Sequence, residues 1–248
     1  MILIKSPTEI ETMKEAGRIT AGALRVVGEA VRVGITTKQL DAIAEEYIRS
    51  EGAKPAFLGY NGFKGTLCTS LNEQVVHGIP GSRALKDGDI LSVDCGAIVD
   101  GYYGDAAMTF GIGEVSKGAR KLMEVTRASL IAGIAQCRPN MRLYDIGHAV
   151  QQMAEAAGFS VVREYVGHGI GQSMHEEPQI PNFGRAGTGP QLKAGMVLAV
   201  EPMVNAGGHQ VRGLNDGWTV VTADGSLSAH FEHTIAITAD GPLVLTVE

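Results

Sequence analysis

Two stretches of the chain repeat each other, and each ends on a carboxylate. Leu85-Lys-Asp-Gly-Asp-Ile-Leu-Ser-Val-Asp94 aligns without a gap on Leu192-Lys-Ala-Gly-Met-Val-Leu-Ala-Val-Glu201, 107 positions later. Each is followed by a second β-prone run that opens on an acid, Asp105–Phe110 in the first half and Glu232–Ile237 in the second. Carboxylates supplied in pairs by an internal duplication meet near a two-fold axis. Acids in a protein interior lose hydration and repel one another, so they gather where a cation or a shared proton holds them. The chemistry to expect is hydrolysis at a two-metal centre.

Asp94 and Asp105 flank the turn signal Val99-Asp-Gly101. This separation is expected to set them opposite each other across a tight hairpin, on one sheet face, with Cβ atoms about 5 Å apart. Alone, the pair reads equally as a solvated acid and a turn cap; the second pair, Glu201 and Glu232, favours a metal. Glu201 lies in the apolar run Met196–Val204, where an unpaired charge costs several kcal/mol. His168, among the glycines of Val166–Gly171, is the imidazole candidate. Oxygen donors with one imidazole suit Mn, Fe(II), Co or Zn, two ions roughly 3.5–4 Å apart. His77 and His175 are expected to overhang the sheet, as donors to an oxyanion and a departing amine. His148 and His209 read as structural or surface residues, and His233 as facing away from Glu232. His230 shares the face of Glu232, and its role stays open. Cys68 has no base beside it and reads as apolar wall rather than nucleophile.

The duplication extends to the elements that must position these residues. Gly34–Gly52 and Asn140–Gly158, 106 positions apart, each predict an amphipathic helix closed by glycine. Their apolar stripes are Leu40, Ile43, Tyr47 and Ile146, Ala149, Val150, Met153. Further helices are expected near Thr8–Val33, continuous or broken, and near Lys117–Gln136. A third echo pairs His77-Gly-Ile-Pro-Gly81 with His168-Gly-Ile-Gly-Gln172, at an offset of 91. The shorter offset implies an insert in the second half, Gln172–Pro190, expected as a Pro/Gly-rich loop over the site. No Ser/Gly-rich linker separates the halves, so a shared sheet is expected.

Composition bounds the function. Of 248 residues, 44% are hydrophobic and 19% charged, as in an ordinary globular chain. A net charge of −6 leaves no cation surplus for nucleic acid. The three cysteines, Cys68, Cys95 and Cys137, form no CxxC and support neither disulfides nor a zinc knuckle. No signal peptide and no membrane-length apolar run is evident, so a cytoplasmic protein is expected.

The motifs Cys68-x-Ser70-x-Asn72-Glu73-x-x-x-His77-Gly-Ile-Pro80, Asp94, Asp105, Gly167-His168-Gly169-Ile-Gly171, His175-Glu-Glu-Pro178, Glu201-Pro202 and Glu232-His233-Thr234 resemble the type I methionine aminopeptidases, bacterial-like. The resemblance runs from about Ser6 to Thr238. It implies an α/β pita-bread fold in one catalytic domain, residues 1–248. Its halves, about 1–112 and 113–248, would be related by a pseudo-two-fold axis around a shared antiparallel sheet. It implies Asp94, Asp105, His168, Glu201 and Glu232 as ligands of two divalent ions, with Asp105 and Glu232 bridging. It implies His77 and His175 as substrate-facing histidines, Glu201 as proton shuttle, and a methionine slot of Phe57, Tyr60, Phe63, Cys68, Met174 and Trp218. The implied partners are the deformylated N-termini of nascent chains, with a transient ribosome contact left open; nucleic acid, membrane and stable oligomers are not expected. Two departures stand out: Met174 where an aromatic is expected, and His230 where glutamine is expected. The chain also starts at the catalytic domain, without the extensions of some relatives. Prolidases and aminopeptidase P share the five ligands but carry an extra N-terminal domain. A non-enzymatic peptide-binding module of the same fold would have shed its ligands.

Overall fold

A computed structural model describes residues 1–248. Four helices begin where local chemistry dictates. Helix α1, Pro7–Ala30, starts on a capping box in which Ser6 accepts from Glu9 N–H and the Glu9 carboxylate accepts from Ser6 N–H, with Pro7 at the first helical position. Thr36 and Gln39 cap α2, Thr37–Ser50, in the same way. Ser116 caps α3, Lys117–Ile134. Asp145 accepts from Arg142 N–H at the start of α4, Leu143–Ala156. Leu40, Ala44 and Ile48 bury one face of α2, and Ile146, Val150 and Ala154 one face of α4.

The main sheet has nine strands: β1 Lys54–Pro55, β2 Leu67–Leu71, β3 Ile90–Val99, β4 Tyr102–Gly111, β5 Gly167–Gly169, β6 Glu176–Ile180, β7 Val197–Val200, β8 Glu232–Thr238 and β9 Gly241–Val244. All pairings are antiparallel, in the order β1-β3-β4-β8-β7-β5-β6, with β2 also on β3 and β9 also on β8. The halves meet where β4 pairs with β8, at Ala107↔Glu232 and Ala106↔His233. On either side the layout repeats: β2-β3-β4 in one half, β5-β7-β8 in the other. Helices α1 and α2 cover the first half, α3 and α4 the second.

Helix α1 is continuous, one of the two forms expected; Gly17 lies where the helix presses on the Leu245 backbone, so its missing side chain allows contact rather than a break. Three other expectations need correcting. Asp94 pairs with Ala107 and Asp105 with Gly96, so the two acids share a face diagonally, not directly opposite. The insert Gln172–Pro190 is not all loop: it contains β6, which pairs with β5. The His-Gly-Ile echo is not a structural equivalence, because β2 holds the place matching β5, while His77 follows a separate strand, Gln74–Val76.

The Gly17 contact generates a test. Alanine is the better helix former by about 1 kcal/mol, yet a Cβ here meets backbone that cannot rotate away. Overpacking of this kind costs about 1–3 kcal/mol, so Gly17→Ala should lower the urea midpoint despite its helix preference. A raised midpoint would show that the helix and the C-terminal segment are free to separate.

Candidate active site

The sheet brings all four acids to one place. Asp94 sits mid-β3, Asp105 on β4, Glu232 at the start of β8, and Glu201 immediately after β7. They line one cavity of about 250 Å³ together with Phe57, Tyr60, Asn61, Phe63, Cys68, His77, His168, Met174, His175 and Trp218. Every site residue expected from the sequence is on that wall. No lysine or arginine is.

Asp105, His168 and Glu232 are buried, and each offers a donor atom within 4.8 Å of the others; Glu201, His230 and Glu232 do the same. His168 Nε2 lies 3.8 Å from Asp105 Oδ2 and 3.6 Å from Glu201 Oε1. The His168 Nδ1 hydrogen donates to Gly169 O at 2.9 Å, which leaves the Nε2 lone pair facing the acids. Asp94 Oδ1, Asp105 Oδ1 and Glu232 Oε1 are buried without any hydrogen-bond partner. Orphaned carboxylate oxygens around a bare imidazole nitrogen are the donor set that a divalent ion satisfies.

A model of metallopeptidase family M24 matches residues 11–239. Methionine aminopeptidase 1 of Bacillus subtilis is 56% identical over 246 residues, covering 99% of each chain. The crystal structure of methionine aminopeptidase from Thermotoga maritima superposes with a TM-score of 0.99 at 49% identity, covering 100% of both chains. The chain belongs to the methionine aminopeptidase branch of metallopeptidase family M24. Prolidase from Pyrococcus furiosus shares the fold alone, with a TM-score of 0.78 at 23% identity over 65% of its length. The enzyme is thus a metal-dependent hydrolase with the pita-bread fold.

Burial sets the electrostatics of the M24 site. It pushes the Asp94, Glu201 and Glu232 carboxyls well above the usual range, and neighbouring carboxylates push them further. Asp105 rises to about 7 for the same first reason. Burial lowers His77 and His168 to about 4, helped by His175, and lowers His175 itself. All three imidazoles are therefore neutral near pH 7, and their N–H groups are donors without charge. Tyr60 Oη lies 2.9 Å from His175 Nδ1. When the phenol donates there, the His175 proton sits on Nε2.

Several supporting contacts have no signature in the sequence. Lys5 forms a buried ion pair with Glu176, tying the N-terminal segment to the residue after His175. Thr234 Oγ1 accepts from Asp105 N–H at 3.0 Å and donates to Asp105 O at 2.7 Å, which fixes the acid's backbone. His77 has φ 60°, a left-handed conformation that strains a non-glycine residue and aims its ring toward Tyr165 and Trp218. These partners lie far apart in sequence, and nothing in residue type marks them. His233 bonds to Thr246, His148 to the Gly184 carbonyl and His209 to Gln210, all outside the acid cluster as expected.

The shifts predict how stability depends on pH. Carboxyls with raised folded values bind protons that the unfolded chain has released, so they make stability fall as pH rises. The depressed histidines act in the opposite sense, but only below 6.5, their ordinary value. From about pH 6.5 to about pH 8, chelator-treated protein should therefore lose stability in urea titrations. Added divalent ion should reverse the trend, because binding expels the same protons. A chelator-treated midpoint that rises over this range would show the acids already ionised.

Proposed function

We propose that the enzyme removes the N-terminal methionine from peptides whose second residue is small, at two divalent ions held by Asp94, Asp105, His168, Glu201 and Glu232. One observation carries the reading: five donor residues, with orphaned oxygens among them, line the same cavity as an apolar wall that suits one unbranched side chain. At about 250 Å³ the cavity falls below the range for drug-sized ligands, about 300–1,000 Å³. Phe57, Phe63, Cys68 and Met174 are buried there, with Tyr60 and Trp218 packed against them. Such a wall holds a thioether by contact and dispersion, without hydrogen bonds.

Asp105 and Glu232, on the two central strands, would be the carboxylates shared by the two ions, and Asp94, His168 and Glu201 would complete the set. When bound, the ions supply Lewis-acid polarisation of the scissile carbonyl and a lowered pKa for the attacking water. Glu201, with 14% of its side chain exposed, can take the proton of that water and pass it to the departing amine. His175 Nε2–H faces the developing oxyanion, held in that tautomer by Tyr60. His77 reaches the scissile amide nitrogen. The substrate's free α-amine sits toward the acids, so a formylated peptide is excluded. Which ion serves is decided by availability, since this set accepts Mn, Fe(II), Co or Zn.

In the cell the substrates are then the deformylated N-termini of newly made chains, met in the cytoplasm by a single copy of residues 1–248 acting as one catalytic unit. No helix is long and apolar enough to cross a membrane.

Loss of one oxyanion donor costs about 10²–10³ in rate. His175→Ala should lower kcat by that factor with metal content unchanged; loss of metal would make His175 a ligand instead. Asp105→Asn or Glu232→Gln should abolish turnover at saturating metal. In a Met-Xaa-Ser series, cleavage should fall from Gly and Ala to Leu and Arg, and norleucine should replace methionine at a cost of about 1–3 kcal/mol at most. Equal cleavage across the series would refute crowding by His77, His175 and Trp218.

A further inference from the structure

His230 is a buried imidazole to which the reaction gives no task. It is 1% exposed, and its Nε2 has no hydrogen-bond partner. That atom lies 3.5 Å from Glu201 Oε2 and 3.9 Å from Glu232 Oε2. His168 Nε2 stands at 3.6 Å from the other Glu201 oxygen and 3.8 Å from Asp105 Oδ2. One imidazole thus faces each oxygen of Glu201, in the same relation to the acids.

The backbone says why. Glu232 pairs across the sheet axis with Ala107, which itself faces Asp94 on β3. The β7–β8 ladder ends at Val200↔His233, so its next step brings Glu201 opposite Glu232. The counterpart of Glu232 in the first half is therefore Ala107, not Asp105. The counterpart of Asp105 is His230. Hydrogen bonds repeat the relation: Thr109 Oγ1 accepts from His230 N–H at 3.0 Å and donates to His230 O at 2.7 Å. Thr234 holds Asp105 at the same two distances. His230 occupies, by rotation about the axis, the place of a bridging acid.

We propose that His230 is a sixth protein ligand, its Nε2 donating to the ion that also faces Glu201 Oε2 and Glu232. The proposal rests on the two-ion reading of the site. Donors bonded to one ion at about 2.0–2.2 Å lie roughly 3–3.6 Å apart. A separation of 3.5 Å fits that arrangement and exceeds the usual N–H···O range of about 2.7–3.2 Å. A second nitrogen donor moves the centre's preference away from manganese and toward zinc, cobalt or Fe(II).

The test titrates zinc into the full chain labelled with ¹⁵N-histidine and follows the imidazole nitrogens by long-range ¹H–¹⁵N spectra. At two equivalents, Nε2 of two histidines should take metal-bound shifts in the native protein, and only one in His230→Gln. Chelator competition on that variant should show one of the two zinc ions bound at least about tenfold more weakly. If His168 responds while His230 keeps a proton on Nε2, His230 is a hydrogen-bond donor to Glu201 and the proposal fails alone. If neither responds, the two-ion reading fails with it.

Discussion

Four carboxylates, Asp94, Asp105, Glu201 and Glu232, are brought together at the centre of the sheet with no lysine or arginine among the residues around them. Each buried ion costs several kcal/mol after relaxation, and their mutual repulsion adds to it. Protons or divalent cations are the only ways to meet that cost, and the first explains why burial drives the carboxyl values so far up. The rest of the molecule is arranged so that the acids cannot escape it. The nine-stranded sheet fixes their register, the Thr234 hydroxyl pins Asp105, and helices on the other face close off retreat.

The same constraint divides the labour around the cavity. Asp94, Asp105, His168 and Glu232 come from strands, which hold atoms to a small tolerance, and Glu201 directly follows one. Apart from Cys68 on β2, the pocket and donor residues come from connecting segments: Phe57–Phe63 between β1 and β2, His77 after Gln74–Val76, Met174 and His175 ahead of β6. Those segments are tied down individually. The buried Lys5–Glu176 pair anchors the His175 segment, and Tyr60 spans from the pocket wall to the His175 ring. Strain at His77 is held in place by Thr69, whose N–H donates to the Gly78 carbonyl, and by Ser70, whose hydroxyl accepts from Gly78 N–H. The protein spends its rigidity on the metal side and leaves the substrate side to local contacts.

How much of this was legible in the chain follows from what sequence spacing encodes. The repeat Leu85–Asp94 on Leu192–Glu201 exposed the two-fold layout, because strands duplicated with their turns keep their offsets. The same logic misassigned the second acids. Asp105 and Glu232 look equivalent as openers of β-prone runs, yet ladder register makes Ala107 the counterpart of Glu232. A shift of two residues keeps the face and changes the partner, and no periodicity argument detects it. The insert Gln172–Pro190 hid strand β6 because its alternation is carried by Pro178 and Ile180 among charged residues. The threonine clamps on Asp105 and His230 were invisible for a different reason: a hydroxyl bridging two backbone groups leaves no mark on spacing.

Two cations holding the acids together should be visible by anomalous diffraction from crystals grown with manganese, collected on both sides of the manganese absorption edge. Two peaks are expected roughly 3.5–4 Å apart, both within bonding distance of Asp105 and Glu232. An absence of anomalous density between these carboxylates, in a protein that still cleaves methionyl peptides, would show that cations do not hold them.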